Sequence, residues 1–141
     1  MSAWQDQLVG VIKAIDDGLS AAGDFDSKAI GPIQFDRLSY PAVHIIPATV
    51  DYQDGNVYSH SIDVAHFYEF SHRYDYLELV ERVAAMNDSV LDAIEATDDL
   101  DAQGRVQSVE HFAGESDDNL LVVINVTFAV QTAVDLATYR D

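Results

Sequence analysis

His60, His66 and His72 recur at a constant interval of six in a chain that holds five histidines. Imidazole is the side chain most often recruited to ligate transition metals or to move protons near neutral pH. The interval argues against one shared ion. On a strand, six residues at ~3.3 Å each set two side chains about 20 Å apart, whereas ligands of a single zinc, bound at about 2.0–2.1 Å, lie within ~4 Å of one another. The histidines are therefore expected to be structural or interfacial, a site assembled across subunits being the one route to a metal.

Asp99, Asp101 and Glu110 fall at positions 1, 3 and 12 of a calcium-loop pattern, with Gly104 at position 6 and Val106 at position 8. Oxygen ligands at those offsets would wrap one hard cation if the chain turned sharply at the glycine and then entered a helix. Gln103 stands at position 5 in place of Asp or Asn, and the residues that follow, with Phe112 and Gly114, read as strand and loop. These three acids are weak metal candidates, and an acidic helix-to-strand turn is the expected reading.

Other chemistry is excluded more firmly. The chain has no cysteine, so disulfides, thiolate nucleophiles, zinc-thiolate clusters and iron–sulfur centres are ruled out. Serine, histidine and aspartate are plentiful, but no G-x-S-x-G elbow presents a nucleophile. The seven glycines form neither G-x-G-x-x-G nor a phosphate-cradling loop. The acidic pairs Asp16-Asp17, Asp98-Asp99 and Asp117-Asp118 fall in turns and helix ends, where solvated surface is expected. No catalytic constellation and no cofactor site emerges, and the protein is not expected to be an enzyme.

The 141 residues carry 25 acidic against 7 basic side chains, a net charge of −18, with 48% hydrophobic content. This length suits one domain and buries roughly 68–70% of the unfolded surface. The acids are interspersed between apolar positions, unlike the charge blocks of disordered chains. Such a surface repels nucleic acid backbones and anionic lipid, and it repels itself until molar salt shortens the Debye length to about 3 Å. Abundant Asp with little Lys resembles proteins of salt-loving archaea and their viruses. Met1-Ser2-Ala3-Trp4-Gln5-Asp6 lacks the basic start of a secretory leader, and Leu120 to Val130, the most apolar run, is too short to span a bilayer.

The elements that must position these residues follow from periodicity. Trp4, Leu8, Val11, Ile12, Ile15 and Leu19 mark an amphipathic helix, with Gly18 and Gly23 read as its fraying end. Gly23 to Ser39 reads as a loop holding a short extended piece at Ile33 to Phe35. Tyr40 to Pro47 is a strand bounded by prolines, which lack the ladder donor and belong at edges or boundaries. Asp51 to Asn56 is a turn. Tyr58 to Phe70 alternates as a long hairpin partner. Asp75 and Glu78 have capping-box spacing and open a second helix that runs to about Ala96. Arg105 to Phe112 is a strand, Ala113 to Asn119 a loop, and Leu120 to Thr132 a central strand whose alternate residues Leu120, Val122, Ile124, Val126, Phe128 and Val130 share one face. The expected fold is α+β: an antiparallel sheet of about four strands with two helices packed on one face, in the order α-β-β-α-β-β.

Aromatic residues crowd the long strand. Phe67 has opposite parity to Tyr68 and Phe70, so both faces carry rings, and aromatic side chains are enriched at interface cores. Tyr58, Phe67, Tyr68 and Phe70 are therefore candidate subunit-interface residues.

The opening helix, the Tyr40-Pro41-Ala42-Val43-His44-Ile45 strand, the long aromatic strand from Ser59 to Phe70, the second helix and the closing hairpin together resemble the tail terminator proteins of long-tailed viruses and their relatives among neck and tail-completion proteins. The likeness covers Trp4 to about Leu136. It implies a virion protein at the tail–neck junction, assembled in the host cytoplasm: a homohexameric ring that caps the tail tube and meets the neck or connector protein, with DNA passing through unbound and no membrane involved. With the salt-adapted composition, the resemblance points to a haloarchaeal tailed virus. On this reading the turn at Asp54, Gly55 and Asn56 and the loop with Glu115, Asp117 and Asp118 face the tube or neck. A head–tail connector of the same fold and a small acidic ligand- or calcium-binding domain are the alternatives.

Overall fold

The computed structural model describes residues 3–23, 25–31, 41–53, 57–70, 76–97, 101–116 and 119–133. Its elements in chain order are α1 (Ala3–Ala22), β1 (Ser27–Ile30), β2 (Ala42–Gln53), β3 (Val57–Phe70), α2 (Tyr76–Glu95), β4 (Gln103–Ser116) and β5 (Asn119–Ala133). The class is α+β, with one five-stranded mixed sheet in the order β1-β2-β3-β5-β4.

Two differences from the expected four strands have physical causes. β1 lies in the stretch read as a loop, pairing in parallel with β2 from Ser27↔Ala42 to Ile30↔Ile45. Its sequence, Ser-Lys-Ala-Ile, is too short and mixed to alternate. It is held instead by Lys28, whose Nζ reaches Asp16 Oδ1 at 2.7 Å and donates to Ser20 Oγ at 2.7 Å on α1. The piece expected at Ile33 to Phe35, and the capping residue Asp75, lie outside the described residues. The second difference is that Ala113 to Ser116, read as loop, continues β4 opposite Asn119 to Val122. The ladder offered by β5 overrides the poor strand preference of Gly114, as sheet context commonly does.

β2 likewise runs past Pro47 to Gln53. Pro47 still opposes Ile62, and the register shifts between Pro47 and Thr49. The last β1 pair is at Ile45, so the proline sits where the outer side of β2 has no β1 neighbour and no ladder donor is required.

Both helices cover one face. Val11, Ile15 and Leu19 of α1 and Leu79, Val83, Met86, Val90 and Ile94 of α2 join Val43, Ile45, Ile62 and Val64 in a single core. In β5 the expected alternation holds, with Val122, Ile124, Val126, Phe128 and Val130 buried. Gly18 is buried at the helix crossing and not at a frayed end. A Cβ there would stand 2.6 Å from Val90 Cα, and Ser89 Oγ donates to the Gly18 carbonyl at 2.9 Å. Glycine lets the two helices approach at this point.

Candidate interaction surfaces

Even-numbered residues of β3 from Tyr58 to Tyr68 lie on the helix side of the sheet. His60 and His66 are among them, at 1% and 0% exposure. His60 Nε2 lies 3.0 Å from Thr132 Oγ1 on β5, whereas neither ring nitrogen of His66 has a hydrogen-bond partner among the described residues; its ring centroid is 6.4 Å from that of Phe25. Burial disfavours the charged form and pushes both imidazoles down to about 4. They are neutral core residues. His72 lies outside the described residues. His44 is buried on the other face, 4.9 Å between ring centroids from Phe67, and burial lowers its pKa as well.

The calcium-loop acids do not converge. Asp101 sits in the turn before β4, and Glu110 lies well inside that strand, so the extended backbone from Gln103 to Glu110 alone spans roughly 20 Å. Asp99 lies outside the described residues. Among the described residues no group of three His, Asp or Glu side chains is placed to hold a metal.

The aromatic candidates separate. Tyr68 belongs to the core at 6% exposure, so its assignment to a subunit interface is corrected: strand alternation turns it onto the helix-covered face. Phe67 turns the other way and is buried at 5% with Ala42 and Ala65, Val123 packing alongside. Tyr58 is half-buried, in an edge-to-face contact with Tyr52 at 5.3 Å between centroids. Phe70 is the last residue of β3, opposite Leu120; its side chain lies outside the described residues. So do Asp54, Gly55, Asn56, Asp117, Asp118 and the Glu115 side chain, although the Glu115 backbone pairs with Leu120 in β4.

A feature missed in the sequence lies beside Tyr58. Trp4 and Leu8 of α1, Pro47 to Val50 and Tyr52 of β2, and Tyr58 enclose an open cleft of about 620 Å³. Trp4 is 45% and Tyr52 56% exposed. Trp4 counted as one more apolar residue of the helix stripe, and Tyr52 belonged to the expected turn. The extension of β2 past Pro47 brings them together.

The opposite sheet edge is also exposed. Each residue of β4 from Gln107 to Gly114 is exposed, with Val109 at 42% and Phe112 at 54%. His111 Nδ1 lies 2.6 Å from Tyr76 Oη, linking this edge to the start of α2. No helix among the described residues is long and apolar enough to cross a membrane. No protein-family model matches the chain, and no curated protein sequence is similar to it.

Proposed function

We propose that the protein is a structural subunit of a long-tailed virus, assembling as a homo-oligomeric ring of six that caps the tail tube and joins it to the neck. The observation that carries this reading is the architecture: two helices on one face of a sheet built from two long hairpins, the organisation implied by the resemblance to tail terminators. The aromatic cleft and the apolar residues of β4 give each subunit two different exposed surfaces on opposite sheet edges, as a head-to-tail ring requires. A net charge of −18 suits a ring through which DNA slides without being gripped, and a halophilic host whose salt screens the surface.

Light scattering on the purified protein in ~3 M salt, where exposed charges are screened, tests the reading. A closed multimer of about six subunits that binds isolated tail tubes is the expected result. Binding to the neck and not to tubes would favour the head–tail connector alternative. A monomer that joins neither and takes up calcium would sink the structural assignment.

A further inference from the structure

We infer that copies of this chain join head to tail by strand addition, the outer edge of β4 in one copy pairing with the outer edge of β2 beyond Ile45 in the next. This deepens the ring reading, on whose self-association it rests, by naming the two surfaces and their alignment.

Three observations meet here. First, among the described residues β4 is the last strand of the sheet at one side, and its outer edge presents a row of backbone donors and acceptors suited to another strand. At the other side β1 shields β2 through the Ile30↔Ile45 pair and no further, so no strand among the described residues runs beside Ile46–Gln53. Second, the directions agree. β2 and β5 run one way and β3 and β4 the other. A second sheet placed beside the first with its helices on the same side therefore sets β4 against β2 in antiparallel order, the alternation already present inside the sheet. Third, the receiving edge borders the cleft formed by Trp4, Leu8, Val50, Tyr52 and Tyr58, and the incoming edge, exposed from Gln107 to Gly114, carries Ala113 on the cleft's side of the sheet and Phe112, 54% exposed, on the other.

β1 also sets the alignment. It occupies the layer position beside Ala42–Ile45, so an incoming antiparallel strand must end near Ile46. The C-terminal end of β4 points that way, and because Pro47 offers no donor to an added strand, the pairing sets Glu110–Gly114 along Thr49–Gln53. With Ala48 taken as the extra residue at the shift between Pro47 and Thr49, Gly114 falls opposite Thr49, Ala113 opposite Val50 and Phe112 opposite Asp51. Alternation places Ala113 and His111 at the mouth of the cleft and Phe112 on the face away from α1 and α2.

The absence of cysteine makes the alignment directly testable. Thr49 is exposed, and a Cβ at Gly114 meets nothing within 4 Å, so Thr49→Cys and Gly114→Cys are both compatible with the fold. The double variant, oxidised in ~3 M salt where charge repulsion is screened, is expected to give a covalent ladder of multimers on a non-reducing gel. Each single variant should stay at the 15.5 kDa monomer position.

In parallel, one edge is blocked with Phe112→Asp and Ala113→Asp, the other with Thr49→Asp and Tyr52→Asp, circular dichroism confirming the fold of each. Each blocked protein alone should be monomeric by light scattering, and the two mixed should form a one-to-one dimer, because one retains the β2 edge and the other the β4 edge. Loss of association in the β4 variant alone would show two-fold pairing of β4 with itself and overturn the inference. Multimers that survive both blocks would overturn it while leaving the ring reading intact. A wild-type monomer in the same salt would overturn the inference and the solution ring together.

Discussion

Phe67 and Tyr68 are consecutive in sequence and bury their rings on opposite faces of the sheet, at 5% and 6% exposure. Tyr68 packs among the core residues beneath the helices, whereas Phe67 lies over Ala42 and Ala65 on the face away from α1 and α2. Removing either ring opens a cavity where neighbours are fixed by the ladder. Phe67→Ala and Tyr68→Ala should each cost about 3–5 kcal/mol. The Tyr68 hydroxyl, buried without a hydrogen-bond partner among the described residues, behaves differently: burial raises its pKa against the opposing pull of Arg82. Tyr68→Phe keeps the ring and removes a desolvated hydroxyl, so it should leave stability unchanged or raise it by about 1 kcal/mol. Urea denaturation of the three variants checks the set. A loss above 1 kcal/mol for Tyr68→Phe would mean that the hydroxyl makes a bond in solution.

The parity that separates these two rings was legible in the sequence, as were both helices, the long β3 strand and the buried face of β5. Each rests on a repeat carried through many residues. What escaped depends on partners distant in the chain. β1 is fixed by its pairing with Ala42–Ile45 and by a lysine reaching α1. The outer half of β4 is held by β5 despite Gly114. The cleft needs Trp4 and Tyr58 to line one site, a convergence no local pattern encodes.

Gly18 illustrates the same point through helix packing. Its helix would gain from alanine by about 1 kcal/mol of intrinsic preference. However, the added methyl meets the Val90 backbone, with Cα at 2.6 Å, and a backbone cannot swing aside as a side chain does. Gly18→Ala should therefore be net destabilising by about 1–3 kcal/mol, measured by chemical denaturation. Equal or greater stability would show that the helices separate at no cost.

The surface makes a prediction about salt. With 25 acidic and 7 basic side chains, repulsion acts over about 10 Å at 0.1 M salt and over about 3 Å at 1 M. The thermal midpoint should rise across that range by roughly 6–10 °C, the equivalent of about 2 kcal/mol for a domain of this size. Differential scanning calorimetry in KCl at fixed pH reads this directly. A midpoint indifferent to salt would remove the halophilic element of the proposed function and leave the fold untouched.

Acid should unfold the protein through its buried imidazoles. His66 has a folded pKa near 4 against an ordinary value of 6.5, because its ring is wholly buried, and His60 is displaced in the same direction. Between these values the unfolded chain binds protons that the folded chain refuses, so stability rises with pH across the window. The neutral-histidine contribution is fully present above pH 6.5 and is lost as pH falls through 6.5 towards 4. For His66 alone the loss amounts to about 3 kcal/mol by pH 4, at 1.36 kcal/mol per unit. His66→Leu removes that titration and replaces a ring whose nitrogens have no hydrogen-bond partners among the described residues. Denaturant titrations at pH 8 and pH 4.5 should show a smaller acid-induced loss in the variant than in the wild type, by about 2–3 kcal/mol. Equal losses in the two proteins would mean that His66 finds a proton-binding partner in solution and is not held neutral by the core.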